Sequence, residues 1–387
     1  MLLYVDRQLE TELEKDAPPR AVLLYGPRRI GKTSLLEHLV GSASRRWFNG
    51  DMPGSARELD FQTQGDVLNA LLQDKCIVID EAHKIPDIGN IVKMLVDVNE
   101  RLEEPRRIYI TSSSAFYLSA VQESALGRVV SRKMWPFSLR EIASCSGWGP
   151  VLEKIDHHIV YGLMPCVYLQ PEQARAYLTD YCDGFLLRDF LDENPIKHPA
   201  KLRHLLQLLA LSVGSEVSYD NLSREIGLNR MTVEDYIERL QRSSLICVCP
   251  SFSRNQANEL KKGKKIYFFD NGVRNAIIGN FSPLSNRTDA GALWENFFFT
   301  ERVKLHDTLR DFKQMYFWRT SGSTPREIDF IEVVDDRIEA FECKLSLAGK
   351  PSKHAQAFLK TYPQASFRIV QPKDCFAIFG QSGSKAM

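Results

Sequence analysis

Short apolar runs alternate with amphipathic stretches along the first third of this 387-residue chain. The runs at residues 21–25 and 76–79 have the length and continuous apolar character of buried strands in a parallel sheet, and residues 107–111 predict a third strand. Helical periodicity follows the first run, at residues 34–40. This order predicts an α/β fold in which a parallel sheet carries helices on both faces.

A glycine-containing loop with the pattern GxxxxGK[ST] lies between the first strand and its helix. It consists of Gly26, Pro27, Arg28, Arg29, Ile30, Gly31, Lys32 and Thr33, and Ser34 continues into the helix. The glycines let the backbone curl, and the helix N-terminus offers free N–H groups to phosphate. We therefore expect Lys32 to reach the β- and γ-phosphates of ATP and the Thr33 hydroxyl to ligate Mg²⁺.

An acidic pair, Asp80 and Glu81, follows the second predicted strand. Open α/β sheets bind ligands at the carboxyl ends of their strands, so Asp80 is expected to support Mg²⁺ there. Glu81 is placed to polarise a water for attack on the γ-phosphate. A small-molecule kinase does not need Glu81, so the pair favours hydrolysis; the plainer alternative is that it only opens a surface loop.

Further motifs follow in order: Ser112 and Ser113 after the third strand, a Gly-Arg step at Arg128, and a Pro-Phe-Ser-x-x-Glu segment at residues 136–141. With the loop and the acidic strand end, these motifs resemble a large prokaryotic family of AAA+-type ATPases that carry a C-terminal extension of unknown function. The resemblance implies that Ser112 or Ser113 senses the γ-phosphate, although Ser112 stands where the family usually has glycine.

Arg128 has two interpretations. The resemblance implies that it contributes charge at the γ-phosphate, within its own chain or across a subunit contact in a homo-oligomer. The alternative is an ordinary surface arginine.

The middle of the chain is predicted to be helical up to about residue 200, and its segment at 187–189 resembles the lid of the same family. Helical patterns then span residues 201–211, 218–227 and 228–240, and two strands are predicted at 245–249 and 265–269. Helix, helix, tight turn, helix and hairpin is the order of a winged helix-turn-helix.

Residues of this region suit DNA in part. Asn229, Arg230 and Thr232 would begin the recognition helix, and the wing carries the basic residues Arg254, Lys261, Lys262, Lys264 and Lys265. Basic side chains of this kind contact phosphates. The same helix carries Glu234, Asp235 and Glu238, which would repel DNA, and winged helices also serve as protein–protein modules. Both interpretations stay open.

Two alternating runs, at residues 327–334 and 337–344, predict a hairpin around an Asp-Asp turn. A turn centred between residues 335 and 336 places Asp329 opposite Glu342, with Lys344 on the same face. Opposed carboxylates need a positive charge between them, either Mg²⁺ or Lys344. With Glu295 on a preceding helix, this arrangement resembles the PD-(D/E)xK nuclease fold. The resemblance implies metal ligation by Asp329, Glu342 and Glu295, with Lys344 activating water; domains of this kind also bind nucleic acid without cutting it.

Composition adds limits rather than chemistry. The net charge of +1 gives no general sign of nucleic acid or membrane, and no apolar stretch reaches 18 residues, so we expect a cytoplasmic protein without membrane contact. Cys247 and Cys249 share one strand face without further metal ligands, which favours buried thiols. The expected domains are an AAA+-like ATPase at 1–148, a helical lid at 149–200, a winged helix-turn-helix at 201–285, a restriction-endonuclease-like α/β domain at 286–380 and a disordered tail at 381–387.

Overall fold

A parallel sheet of five strands forms the centre of the part of the chain that carries the glycine-containing loop. The computed structural model describes residues 4–16, 18–41, 44–113, 125–186, 196–252, 263–320, 325–346 and 353–380. Contacts divide the chain into two units. The N-terminal unit is Asp6–Trp135 with Arg242–Ser244, and the C-terminal unit is Met1–Val5, Pro136–Gln241 and Leu245–Met387.

The described elements of the N-terminal unit are parallel strands with helices between most of them. Its strands are β1 (Ala21–Tyr25), β2 (Arg45–Asn49), β3 (Cys76–Asp80), β4 (Arg107–Ser112) and β5 (Val129–Lys133). Its helices are α1 (Gln8–Lys15), α2 (Lys32–Val40), α3 (Pro53–Glu58), α4 (Gln64–Gln73) and α5 (Ile88–Asn99).

The strand order β2-β3-β4-β1-β5 decides which chain segments meet. Strand β4 lies between β1 and β3 and is parallel to both. The loop that follows β1, the acidic pair that follows β3 and the serines that follow β4 therefore share the carboxyl edge of the sheet. The parallel α/β sheet expected from the apolar runs is confirmed.

Burial explains why these strands read as continuous apolar runs. Residues 21–24 of β1 and all of β3 are buried, because helices cover the sheet. Helix α5 contributes Val92, Leu95 and Val96 to the same core. At its end, buried Asn99 donates to the carbonyls of Pro19 and Arg106 at 3.1 and 2.9 Å, which ties the chain before β1 to the chain before β4.

The C-terminal unit is richer in helices. Its described helices are α6 (Leu139–Ser146), α7 (Trp148–Glu153), α8 (Ile155–Tyr161), α9 (Pro165–Leu169), α10 (Ala174–Asp180), α11 (Pro199–Leu211), α12 (Tyr219–Ile226), α13 (Arg230–Arg242), α14 (Asn271–Ile277), α15 (Ala290–Leu309), α16 (Lys353–Thr361) and α17 (Cys375–Phe379). Its strands are β6 (Glu216–Val217), β7 (Ile246–Pro250), β8 (Lys264–Phe268), β9 (Gln314–Arg319), β10 (Glu327–Val334), β11 (Arg337–Cys343) and β12 (Ser366–Val370).

Strands β6, β8 and β7 form a three-stranded antiparallel sheet. These strands lie in the same stretch of the chain as helices α11 to α13. Helix α13 buries Val233, Tyr236, Ile237 and Leu240, the i, i+3, i+4, i+7 face of a helix that packs on one side. The elements lie in the order that the sequence patterns indicate. Their assignment as a winged helix stays a prediction, and Arg254, Lys261 and Lys262 of the wing lie outside the described residues, as do the 187–189 segment and the 381–387 tail.

Four strands in the order β12-β11-β10-β9 form the second sheet of this unit. Strands β10 and β11 pair antiparallel, with Phe330 opposite Phe341 and their rings stacked at 4.8 Å between centroids. The sequence pattern predicts this same register. Continued by one residue on each strand, the register places Asp329 opposite Glu342. Helix α15 packs Phe298 against both rings.

The segment at 136–141 is held by helix α15. Ser138 and Glu141 form a capping box at the start of α6, in which Glu141 N donates to Ser138 Oγ at 3.2 Å. Buried Glu301 accepts a hydrogen bond from Leu139 N at 2.7 Å, and Lys304 donates to the Phe137 carbonyl at 2.8 Å. This segment is therefore part of the C-terminal unit, whereas the sequence places the domain boundary at residue 148.

Candidate functional site

The glycine-containing loop adopts a backbone that only glycine accommodates at two positions. Gly26 has φ of 149° and Gly31 has φ of 93°. A Cβ atom on Gly26 would lie 2.3 Å from the carbonyl oxygen of Met134, so the loop passes too close to its neighbour for any side chain. Gly31 is the N-cap of α2, and the loop therefore curls around the helix N-terminus, where free N–H groups bind phosphate.

Two basic side chains hold this loop. Lys32 is buried, and its ammonium donates to the carbonyls of Gly26 and Pro27 at 3.0 and 2.9 Å. Arg7 donates to the carbonyls of Ile30 and Trp135 at 3.0 and 2.5 Å. Sequence reasoning missed Arg7, because nothing in the pattern before β1 marks an arginine that fixes a loop more than 20 residues later.

Asp80 lies beside the loop at the end of β3. The Thr33 hydroxyl donates to its two carboxylate oxygens at 3.0 and 3.3 Å, and the Thr111 hydroxyl donates to the same carboxylate. Burial raises the pKa of Asp80, and the hydrogen bonds from Thr111 and Thr33 oppose that rise. A hydroxyl and a carboxylate side by side are oxygen donors of the kind Mg²⁺ prefers, so these residues fit the ion.

Glu81 is the first residue beyond β3 and takes a left-handed backbone conformation, with φ of 48°. Its N–H donates to the Thr111 hydroxyl at 2.9 Å, and its carboxylate accepts a hydrogen bond from Ser113 Oγ at 3.2 Å. Ser113 is therefore the serine that contacts the acidic pair. Ser112 is buried in β4, where its backbone pairs with Tyr25.

His83 completes this group, and sequence reasoning missed it. Its Nδ1 lies 3.3 Å from Glu81 Oε2, and its Nε2 lies 3.5 Å from Ser113 Oγ. Burial, together with the positive charges of Arg28 and Lys84, lowers the pKa of His83 to about 4. The imidazole is therefore neutral at pH 7. The Asp-Glu-Ala-His run at residues 80–83 was the signal available in the sequence.

Arg128 lies at the other edge of the sheet. Its carbonyl accepts from Ala21 N at 2.9 Å, at the start of β1, and its guanidinium pairs with Asp97. Five residues of β1 separate this point from the loop, about 16 Å at the rise of a strand. A contact of Arg128 with phosphate in its own chain therefore stays a prediction, and the pairing of its guanidinium with Asp97 does not favour it.

A second group of charged residues lies in the C-terminal unit. Lys265 of β8 is fully buried, and its ammonium lies 2.9 Å from Glu295 Oε1, 2.6 Å from Glu327 Oε1 and 3.4 Å from the Asp329 carbonyl oxygen. The Tyr267 hydroxyl donates to the same Glu295 oxygen at 2.6 Å. The expectation that Lys265 contacts DNA phosphates is wrong in this structure, because its side chain points into the core and is shared among carboxylates.

The opposed pair of the hairpin has separate partners. Asp329 Oδ2 accepts from Cys343 N at 2.6 Å, and Lys344 Nζ lies 3.0 Å from Glu342 Oε1. Burial raises the pKa of Asp329, and burial also raises that of Glu295 to about 7 although Lys265 acts in the opposite direction. Of the two cations that the sequence allowed near this pair, the structure places the lysine ammonium against Glu342.

The carboxylates predicted to share a metal ion are not gathered as one ligand set. Among the residues that the structure describes, the only group of three whose ligand atoms lie within 4.8 Å of one another is Asp6, Glu10 and His38. Those three are largely exposed, and exposed acidic groups of this kind are common without a metal ion. Metal ligation by Glu295, Asp329 and Glu342 therefore stays a prediction that this arrangement does not favour.

The residues expected to read DNA are engaged locally. Asn229 Oδ1 accepts hydrogen bonds from the backbone and hydroxyl of Thr232 at 2.8 and 2.9 Å, as a helix cap does. Arg230 pairs with Asp220 and Glu234, each at 3.1 Å. These side chains stabilise the start of α13, although they are exposed and such pairs are weak.

Three family models match the chain in succession. Residues 18–143 match an AAA domain, residues 152–284 match a domain of unknown function (DUF8612) and residues 290–380 match a second domain of unknown function (DUF4143). The first match is to an AAA-type P-loop ATPase domain. No curated protein matches the chain. None of the described helices is long and apolar enough to cross a membrane.

The matches to solved structures have low identities and low TM-scores. The Walker-type ATPase PABY2304 of Pyrococcus abyssi is 14% identical with a TM-score of 0.47, over 71% of this chain and 96% of that chain. The ORC1 protein of Aeropyrum pernix, solved in complex with DNA, is 15% identical with a TM-score of 0.33, over 72% and 94%. The RuvB Holliday junction branch migration motor of Thermotoga maritima is 16% identical with a TM-score of 0.29, over 66% and 91%. Likeness at this level says nothing about what this chain binds.

We expect Thr111→Val to lower the free energy of unfolding by about 1–3 kcal/mol, because it leaves a buried carboxylate and an N–H without their shared hydroxyl. Urea denaturation of the full chain measures this. Thr111→Ser is the matched control, since it keeps the hydroxyl and should stay close to wild type. A Val variant as stable as the Ser variant would contradict the assigned contacts.

The lowered pKa of His83 predicts a pH dependence. The unfolded chain takes up a proton near the ordinary pKa of 6.5, whereas the folded chain does so only near 4. The free energy of unfolding should therefore fall as the pH drops from 6.5 towards 4, by up to about 1.4 kcal/mol per pH unit for this residue. In urea titrations, His83→Gln should lose this part of the slope and differ from wild type by a constant at pH 8. Parallel curves over the whole range would show that His83 is not buried in its neutral form.

Proposed function

We propose that the chain is a Mg²⁺-dependent ATPase whose hydrolytic centre is the carboxyl edge of the N-terminal sheet. The observation that carries this proposal is the meeting of three elements there. Thr33 of the loop donates to Asp80 at 3.0 Å, and Glu81 follows directly, held by Ser113 at 3.2 Å. A phosphate-binding loop, a cation site and a carboxylate for water are thus adjacent.

Each residue has a role that its contacts support. The N–H groups of the curled loop bind phosphate oxygens, and Lys32 exchanges the Gly26 and Pro27 carbonyls for the β- and γ-phosphates. Thr33 and Asp80 would hold Mg²⁺, which neutralises charge on the phosphates. Arg28 lies close enough to His83 and Asp51 to influence their pKa values, so it adds positive charge near the same edge.

Glu81 acts on the water. Its carboxylate accepts a proton from the water as the water oxygen attacks the γ-phosphorus, and the bond from that phosphorus to the bridging oxygen breaks, so that ADP leaves. Ser113 fixes the orientation of the carboxylate. His83 lies beside Glu81 in its neutral form, so the imidazole adds no positive charge there near pH 7. Arg128 would serve only the nucleotide of a neighbouring subunit, since it lies at the other sheet edge; that role in a homo-oligomer stays a prediction.

We expect Glu81→Gln to bind ATP with an affinity similar to that of wild type. It should hydrolyse ATP at least about 100-fold more slowly, because the amide cannot accept the proton. Phosphate release measures turnover, and a fluorescent ATP analogue measures binding. Lys32→Ala is the matched control and should lose binding itself. Wild-type turnover in the glutamine variant would exclude Glu81 as the base.

For the C-terminal unit, we propose contact with DNA and metal-dependent cleavage at the hairpin of Asp329, Glu342 and Lys344. Support comes from the register that opposes the two carboxylates and from the Lys344 ammonium 3.0 Å from Glu342. The second candidate is a nucleotide-gated switch whose C-terminal unit binds protein. The local pairing of Arg230 and the burial of Lys265 favour that candidate.

With ATP and Mg²⁺ present, we expect the wild-type chain to nick supercoiled plasmid and Asp329→Ala/Lys344→Ala to lose nicking while keeping ATP hydrolysis. The double variant removes a metal-ligating carboxylate and the ammonium that orients water. Agarose gels and phosphate release measure the two activities, and Lys32→Ala shows whether nicking needs ATP. No nicking with any divalent metal, together with duplex binding that does not weaken as salt rises, would favour the protein-binding candidate.

A further inference from the structure

Lys265 is a charged side chain placed where the chain would otherwise bury apolar groups. Strand β8 alternates, so that Lys264 lies over the ring of Tyr219 at 4.9 Å and Lys265 points to the opposite face with no exposure. Its strand partners are Cys249 and Glu216. A fully buried ammonium is strongly destabilising unless paired and hydrogen-bonded, so its partners define its role.

Three acceptors surround the Lys265 ammonium. They are the carboxylates of Glu295 on α15 and Glu327 on β10 and the backbone carbonyl of Asp329, at 2.9, 2.6 and 3.4 Å. An ammonium has three N–H donors, and three acceptors from two elements match that number. The group is therefore a complete internal cation site.

These acceptors are of the kind that a divalent metal ion uses, namely carboxylate and carbonyl oxygens. Mg²⁺ would require them at about 2.0–2.1 Å, a distance that they cannot adopt around it while the ammonium nitrogen stays among them. Metal and lysine therefore exclude each other by space and by charge. The metal predicted at Glu295 does not fit this conformation.

We infer that Lys265 is the resident cation of the cluster formed by Glu295, Glu327 and the Asp329 carbonyl, and that it closes this cluster to divalent metal ions. Its consequence for cleavage rests on the proposed function of the hairpin. If Asp329 serves a nuclease, strand β8 must withdraw Lys265 before a metal ion can bind beside Glu295. The position of the Lys265 side chain would then decide whether a metal ion can bind there.

The neighbouring charges agree with a site that depends on this one lysine. Lys344 is committed to Glu342 at 3.0 Å, and Asp329 Oδ2 accepts from Cys343 N. A Cβ on Gly214, in the loop before β6, would lie 3.4 Å from the Glu295 carboxyl, so a larger side chain there would crowd the carboxylate. Removal of the Lys265 charge would leave Glu295 and Glu327 without their cation.

The test measures binding of Mn²⁺ to the full chain without nucleotide. The electron paramagnetic resonance signal of the free ion reports how much Mn²⁺ is bound. When Lys265 is kept, the Glu295→Gln variant should bind Mn²⁺ as wild type does. Lys265→Met should gain one bound ion per chain, and Lys265→Met/Glu295→Gln should lose it again. A wild-type ion that Glu295→Gln removes, or a folded Lys265→Met chain that gains none, would overturn the inference.

A second measurement needs no variant and covers the case in which Lys265→Met does not fold. Acetylation of native wild type, read by mass spectrometry, should label Lys265 at least about tenfold more slowly than the partly exposed Lys264 next to it. Equal labelling would overturn the inference. Plasmid nicking is a separate readout: a gained Mn²⁺ site without nicking supports Lys265 as the resident cation and contradicts only the proposed nuclease.

Discussion

The position of β4 between β1 and β3 is the constraint on which the candidate nucleotide site depends. Because all three strands are parallel, everything that follows them meets at one edge. The Thr111 hydroxyl at the end of β4 then joins both acidic residues, accepting from the Glu81 backbone and donating to Asp80. A different strand order would leave the same motifs in the chain and separate them in space.

Buried charge organises the C-terminal unit in a comparable way. Glu332 is almost fully buried and pairs with Arg302 through two hydrogen bonds of 2.5 Å, and these bonds lower its pKa despite burial. Lys265 and Glu295 join β8 to α15. Pairs of this kind cost much when one partner is lost and specify which elements pack together.

The predictable parts were those set by periodicity and by local pattern. A period of two residues fixes the hairpin register, and a strand–loop–helix order fixes the phosphate loop. Sequence adjacency does not tell which sheet edge a residue reaches, so the position of Arg128 near the start of β1, paired with Asp97, was not predictable. Alternation along β8 shows that Lys264 and Lys265 face opposite ways, but not which of them meets Glu295. Thr111 and His83 were missed because single polar residues next to a motif carry no spacing signal of their own.

The hydrogen bonds from helix α15 to the segment at 136–141 have a practical consequence for dividing the chain into domains. The match to the AAA domain continues to residue 143, yet the capping box of Ser138 and Glu141 belongs to the C-terminal unit. Truncation at 143 would cut α6 after its first turn and strip its N-terminus of Glu301, leaving Phe137 and Leu139 without the core that buries them. Part of the sequence that matches the AAA domain is thus stabilised by residues outside that match, and a chain shortened to the match would expose apolar side chains at its C-terminal end.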